Sequence, residues 1–291
     1  MSQSLQHSIP AFQDHLRLRG LALSSIAEHS RDLLTLSRYL PGPAAGITGE
    51  RLQAALGGLL RDRRLKNVSF NRKLTSYRLF FEFLQERGGI SESPAESVSF
   101  AKRIKNDAPS FLTCEQAQAL LLASEHNPLH NTIIHTFYEL GIRLSELAGL
   151  QIGDVDSSSM QVRVLGKGGR VRQVHFGREL LLKLRQAVKG PRGYRQKGFL
   201  FLQPHGAPFS ASGIQRLIRV YAGKAGLLKP VSPRTLRHTH ATHALEAGVD
   251  LFSLKKSLGH RDLASTLVYT HVADSSSRSA HEKFLAYAFN G

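Results

Sequence analysis

The segment Ala101-Lys-Arg-Ile-Lys-Asn-Asp-Ala-Pro109 divides the sequence into two parts of different character. It is basic and ends in proline, which disfavours helical backbone at the preceding residue. Thr113 and Gln116 then stand at the spacing of a capping box, which marks the start of a new helix. Because 291 residues exceed the size of most single domains, we predict two domains joined by a linker at residues 101–110.

The residues before this linker predict a purely helical module. Apolar side chains recur at helical spacing within 12–40, 52–60 and 71–85. Pro41-Gly42-Pro43 separates the first two of these stretches. We therefore expect residues 1–100 to form a helical domain.

The residues after the linker predict helices around a small β-hairpin. The two strands are marked by Val162 and Val164 before a Gly166-Lys-Gly-Gly169 turn, and by Val171 and Val174 after it. Helical patterns lie near 114–123 and 130–140 and resume beyond the hairpin. The expected fold class is mainly α, with a small β-sheet or hairpin in the second domain, residues 111–291.

Positive charge is in excess along the whole chain. There are 39 Lys and Arg against 22 Asp and Glu, which gives a net charge of +17. The first 107 residues hold 16 basic and 10 acidic side chains, and the remainder holds 23 and 12. Phosphate contacts spread along a duplex release counterions, so the charge favours nucleic acid as the partner, ahead of a membrane surface.

The cysteine content and the N-terminal sequence indicate the cellular compartment. The single Cys114 excludes an intramolecular disulfide and a cysteine-rich zinc cluster. The N-terminus lacks a basic segment followed by an apolar one, and no stretch approaches the roughly 18 apolar residues that span a bilayer. We expect a cytoplasmic protein.

Two arginines share one face of a predicted helix. Ser232-Pro233 predicts the helix start and Gly248 its end, so Arg234 and Arg237 lie one turn apart. Guanidinium groups this close repel each other unless an anion lies between them, and their fork matches two phosphate oxygens. A solvated basic face is the alternative for this pair alone.

Five further residues are candidates for chemistry. Arg143 and Glu146 lie one helical turn apart among apolar neighbours, and Lys167 occupies the hairpin tip. The Gly-Lys-Gly-Gly turn lacks the frame of a nucleotide-binding phosphate loop. Near the C-terminus, Leu258-Gly259-His260 precedes Tyr269 by nine residues, although an isolated tyrosine is most often a packing residue.

Together these segments resemble the tyrosine recombinase and phage integrase family, particularly its Xer-like members, over nearly the whole chain. The family's first catalytic arginine lies in a G-[LI]-R-x-x-E-[LI] segment, which Arg143 and Glu146 match. The remaining family positions are matched by Lys167 in the hairpin turn, Arg234 and Arg237 in the H-x-x-R pair, His260 in the LGH segment and Tyr269 as the nucleophile.

The resemblance implies a two-domain DNA clamp, with a helical core-binding domain at residues 1–100 and a catalytic domain at residues 111–291. It also implies a reaction in which Tyr269 attacks a phosphodiester and remains bonded to the 3′ phosphate, while Lys167 protonates the leaving 5′ oxygen. Neither a metal nor a nucleotide cofactor is then required. The implied partner is double-stranded DNA with inverted-repeat core sites, bound by a tetramer on two sites or by a related recombinase. Residues 274–291 resemble the tail that such proteins lend to a neighbouring subunit.

One position departs from the family pattern, because Arg234 stands where a histidine is usual. An arginine can hold the phosphate but does not transfer protons at neutral pH. His238 follows Arg237 directly, and helical geometry turns it about 100° away, so we do not expect it to compensate. We hypothesise that Glu146 supports the site by pairing with Arg234.

Three alternatives stay open at this point. A DNA-binding relative with weakened activity is favoured by Arg234 alone. Type IB topoisomerases and telomere resolvases also combine a tyrosine with an arginine cluster. A metallohydrolase is suggested by His238, His240 and His243, although no acidic residue or cysteine between them completes a familiar ligand set. The host element is open among a phage, a transposon and the chromosome.

Overall fold

The computed structural model describes residues 4–102, 110–166, 168–190 and 193–270. The chain divides into two compact units, Met1–Asn106 and Asp107–Gly291. Lys167, most of the predicted linker and the predicted tail at residues 274–291 lie outside the described residues. Within the described ranges, no helix is long and apolar enough to cross a membrane.

The first unit is helical, as predicted. Its helices are α1 (Leu5–Leu18), α2 (Leu23–Leu36), α3 (Gly49–Arg63) and α4 (Asn67–Glu86), with a short 3₁₀ turn at Ala44–Gly46. Aromatic side chains fill the centre of the core, where the rings of Phe12 and Phe80 meet edge to face with centroids 5.3 Å apart. This pairing fixes α1 against α4.

A buried carboxylate joins α2 to α4. Asp32 is 2% exposed and accepts hydrogen bonds from Arg72 at 2.7 and 2.8 Å, from Lys73 at 2.6 Å and from Ser76 at 2.8 Å. Burial alone would raise the pKa of Asp32, but the hydrogen bonds from Arg72, Lys73 and Ser76 outweigh it and the pKa is lowered. The network therefore holds a charged group in the core with its bonding capacity met.

The second unit combines helices with two small antiparallel sheets. Its elements in chain order are α5 (Cys114–Ser124), α6 (Pro128–Leu140), α7 (Leu144–Gly149), β1 (Val155–Asp156), β2 (Gln161–Leu165), β3 (Val171–His175), α8 (Arg178–Ala187), β4 (Lys189–Gly190), β5 (Gly193–Tyr194), α9 (Ala211–Lys224), α10 (Pro233–Glu246), α11 (Leu251–Leu258) and α12 (Ala264–Leu267). The predicted hairpin is confirmed as β2 and β3, with Val162 opposite Val174 and both buried. The sequence did not predict β1, which adds a third strand of two residues.

A separate apolar cluster forms between α10 and α11. It comprises Ala241, Leu245, Leu254, Leu258 and Tyr269. Tyr269 follows α12 directly, so burial of its ring in this cluster holds the end of the described chain against α10.

Candidate active site

The two arginines furthest apart in the candidate set meet at the C-terminal end of α11. Arg237 donates from Nη2 to the carbonyl oxygen of Leu258 at 2.8 Å, and Arg143 donates from Nη2 to that of Gly259 at 3.1 Å. Arg237 also donates from Nη1 to the carbonyl of Gly141 at 2.8 Å. Because the two acceptor carbonyls are consecutive, the guanidinium groups lie side by side.

The position of Arg237 is costly for a positive charge. The residue is 8% exposed, and burial, together with the charge of Arg143, lowers its pKa to about 10. It remains protonated at neutral pH. A bound anion would stabilise both guanidinium groups, which is the condition that a phosphate satisfies.

Glu146 neutralises part of this charge. Its side chain is 3% exposed and accepts from Arg143 Nη1 at 2.9 Å, while Arg172 donates to its two oxygens at 2.9 and 2.8 Å. Burial would raise the pKa of Glu146, but the Arg172 and Arg143 hydrogen bonds lower it to about 2. The carboxylate is therefore charged at neutral pH and holds both arginines in place.

Arg172 is a residue of this site that sequence reasoning missed. It lies in β3, and its Nε also donates to the carbonyl of Ser257 at 2.6 Å. Its only sequence signal was a basic residue in a strand, which is also typical of a solvated edge. The bidentate pairing with Glu146 depends on the fold, which brings the hairpin against α7 and α11.

The hypothesis that Glu146 pairs with Arg234 is wrong. Arg234 is exposed, and its Nε donates instead to Nε2 of His238 at 3.0 Å. The two residues are four positions apart on α10 and therefore lie on the same side of the helix. The Glu146 oxygens instead accept from Arg143, at the N-terminus of the same helix, and from Arg172 in β3.

The Tyr269 hydroxyl reaches the polar edge of its apolar cluster. The residue is 3% exposed, and its Oη lies 2.7 Å from Nδ1 of His238. Burial raises the pKa of Tyr269, although the charges of Arg237 and Arg234 oppose the increase. His238 thus contacts the tyrosine although it is turned about 100° from Arg237 on α10, and its failure to compensate for the histidine missing at position 234 stays a prediction.

His260 lies beside the tyrosine. Its ring is nearly parallel to that of Tyr269, at 12° with centroids 6.5 Å apart, and its Nδ1 lies 2.8 Å from Oγ1 of Thr266. Burial, followed by the charges of Arg237 and Arg143, lowers the pKa of His260 to about 4. The imidazole is therefore neutral at pH 7 and able to accept a proton.

The other histidines of α10 do not join His238 in a metal site. His240 Nδ1 contacts the carbonyl of Tyr138 at 3.0 Å, and His243 contacts the Tyr138 hydroxyl at 3.0 Å and the carbonyl of Leu112 at 3.0 Å. Among the residues that the structure describes, no three His, Cys, Asp or Glu side chains are grouped to hold an ion.

The structure thus gathers most of the predicted site. Arg143, Glu146, Arg237, His260 and Tyr269 surround the end of α11, and Arg234 joins them through His238. Lys167 lies outside the described residues, between Gly166 and Gly168 of the hairpin turn.

The chain is similar to known proteins in both sequence and fold. The tyrosine recombinase XerC of Pelobacter propionicus is 32% identical over 283 residues, which cover 93% of this chain and 92% of that protein. XerD of Halalkalibacterium halodurans, also a tyrosine recombinase, is 31% identical over 279 residues, covering 91% and 93%. The structure of a lambda integrase tetramer bound to a Holliday junction shares the fold, with a TM-score of 0.75 and 19% identity over 90% of this chain and 78% of that one. Residues 110–276 match the phage integrase family, and the chain belongs to that family.

Proposed function

We propose that the protein is a site-specific DNA recombinase that cleaves and rejoins strands through a 3′-phosphotyrosine intermediate. The observation that carries the proposal is the convergence of Arg143 and Arg237 on consecutive carbonyls directly before His260. This arrangement creates a cationic site for one phosphate, next to the buried phenol of Tyr269. The similarity to XerC and XerD supports the same activity.

In this proposal the arginines stabilise the transition state. Arg143 and Arg237 donate hydrogen bonds to the non-bridging phosphate oxygens, where negative charge increases as the nucleophile attacks. Glu146 keeps Arg143 in a fixed orientation, since it accepts from both the backbone amide and the side chain of that residue. Fixed donors of this kind need little reorganisation during the reaction.

The chemical step exchanges one ester bond for another. The Tyr269 oxygen forms a bond to phosphorus, and the bond from phosphorus to the 5′ oxygen breaks. We assign acceptance of the phenol proton to His260, whose Nε2 has no hydrogen-bond partner among the described residues. Lys167 gives a proton to the leaving 5′ oxygen. Reversal of the same transfers rejoins the strand, so no nucleotide cofactor is consumed.

We further propose a role for each domain and an oligomeric state. Residues 1–100 serve as the core-binding domain, residues 101–110 as the linker and residues 111–291 as the catalytic domain. The substrate is double-stranded DNA with inverted-repeat core sites, and a tetramer on two such sites performs the exchange, alone or with a related recombinase. The net charge of +17 and the fold shared with the lambda integrase tetramer support this assembly.

The test is capture of the covalent intermediate. A duplex that carries an inverted-repeat site from beside the gene is nicked near the cleavage position, so that the cleaved end diffuses away and the protein stays attached. The wild type is expected to form a covalent complex that resists denaturant, and Tyr269→Phe is expected to form none. Tyr194→Phe, at a tyrosine that is 58% exposed, is the control and should react normally. Sequence-specific binding without a covalent complex would favour the DNA-binding relative instead.

A further inference from the structure

A chain of hydrogen bonds connects Arg234 to the nucleophile that we propose. Arg234 Nε donates to His238 Nε2 at 3.0 Å, and His238 Nδ1 lies 2.7 Å from the Tyr269 oxygen. The rings of His238 and Tyr269 lie 5.3 Å apart between centroids. The residue at which this chain departs from the family pattern is thus linked to the tyrosine through one intervening side chain.

The first hydrogen bond determines the second. An arginine Nε–H only donates, so His238 Nε2 must carry a lone pair rather than a proton. A neutral imidazole with an unprotonated Nε2 carries its proton on Nδ1. His238 therefore donates from Nδ1 to the Tyr269 oxygen, and it has no free lone pair with which to accept the phenol proton.

We propose that Arg234 is a positioning residue that holds His238 in the Nδ1-protonated tautomer, so that the imidazole stabilises the tyrosinate form of Tyr269. The proposal rests on the function proposed above, in which this tyrosinate attacks DNA. A hydrogen bond donated to an oxygen is stronger when that oxygen carries negative charge. The donor therefore favours the reactive form of the nucleophile.

The charged and titratable groups around Tyr269 are consistent with this assignment. From α10 it faces Arg234, Arg237 and His238, and from the end of α11 it faces His260. No carboxylate within the described residues contacts its hydroxyl. These groups are cations or neutral imidazoles, and the two arginines favour the tyrosinate, although burial outweighs them and raises the pKa of Tyr269.

Arg234 can perform this role and still contact a phosphate of the DNA. The bond to His238 uses Nε alone. Among the described residues, nothing else accepts from its two Nη groups, which leaves them to reach a DNA oxygen. One arginine would then contact the phosphate and orient the nucleophile's partner. Proton acceptance would fall to His260.

The test separates the hydrogen bond from the charge. Gln and Met match arginine along the side chain as far as Nε, and both remove the positive charge, but only Gln keeps a donor at that position. We expect Arg234→Gln to cleave the nicked site faster than Arg234→Met, by on the order of tenfold at pH 7, the value of one hydrogen bond to a charged group. In single-turnover reactions, the rise of rate with pH should occur about one pH unit higher in Arg234→Met than in Arg234→Gln. Equal rates and equal pH profiles for the two variants would overturn the proposal.

A second measurement does not depend on activity. In ¹⁵N-labelled protein, the His238 resonances, assigned by their loss in His238→Asn, should show a protonated Nδ1 and an unprotonated Nε2. Arg234→Met should convert His238 to the tautomer protonated on Nε2, and Arg234→Gln should not. A wild type with Nε2 protonated would overturn the proposal. Absence of any covalent DNA complex would instead refute the recombinase function, whatever tautomer the spectra show.

Discussion

Glu146 and Arg172 form a bidentate pair, with Nη1 to Oε1 at 2.9 Å and Nη2 to Oε2 at 2.8 Å. The carboxylate belongs to α7 and the guanidinium to β3, whose Nε in turn holds the carbonyl of Ser257 in α11. Arg172 therefore connects three elements of the candidate site, two through the ion pair and the third through its Nε hydrogen bond. The hairpin of β2 and β3 supplies one of them.

Glu146→Gln is expected to lower the free energy of unfolding by about 3 kcal/mol, because it leaves the nearly buried Arg172 without its anion. Urea denaturation at pH 7 measures the change. Glu179→Gln is the matched control, since Glu179 is also paired but its side chain is 73% exposed. It should change stability by less than about 0.5 kcal/mol. Equal effects of the two substitutions would show that the buried pair stabilises the protein no more than the exposed one.

The contribution of Glu146 should also depend on pH. Its folded-state pKa of about 2 lies below the ordinary value of 4.5, so the stabilisation is complete above pH 4.5 and is lost as the pH falls towards 2. The difference in unfolding free energy between wild type and Glu146→Gln should stay constant at neutral pH and shrink between about pH 5 and pH 2. Urea titrations at stepped pH follow it. A gap that widened on acidification would contradict the assigned charge.

In the first unit, Asp32 and Glu28 provide a matched pair on α2, because both contact Arg72. Asp32 is 2% exposed, whereas the Glu28 side chain is 52% exposed. Asp32→Asn should destabilise the unit by about 3 kcal/mol, and Glu28→Gln by less than about 1 kcal/mol. Hydrogen exchange of the α4 amides measures the stability of this unit directly. Faster exchange in Glu28→Gln than in Asp32→Asn would refute the ranking.

Gly141 is expected to resist substitution for two reasons. Its φ is +57°, and an added Cβ would lie 2.8 Å from Cγ of His240. Gly226 has a similar φ of +68° but open space around it. Gly141→Ala should therefore cost about 3 kcal/mol from crowding and backbone strain together, and Gly226→Ala about 1 kcal/mol from strain alone. Thermal denaturation measures both, and equal shifts in Tm would contradict the close packing of His240.

Much of this organisation follows from local signals in the sequence. The Thr113 capping box and the helix start at Ser232-Pro233 are present as predicted. The valine alternation located the hairpin, because side chains in a strand alternate between two faces. The third strand was missed because two residues are too few to show a period.

The partners of the site residues could not be predicted in the same way. Arg172 lies 26 positions from Glu146, and no spacing rule selects one arginine among many for a distant carboxylate. The argument about His238 was correct for its angle to Arg237 on an isolated helix. It could not predict the contact between His238 and Tyr269, because the tyrosine belongs to a separate segment and a direction on one helix does not determine what a second segment brings to it.

Arg237 couples the stability of the folded protein to the binding of an anion. In the described part of the chain its hydrogen bonds go only to carbonyl oxygens, which carry no full charge. Arg237 therefore forms no direct ion pair among the described residues, and Glu146 offsets its charge only in part. An anion bound there would stabilise the folded state. Inorganic phosphate or sulfate should for this reason raise the free energy of unfolding of the DNA-free protein.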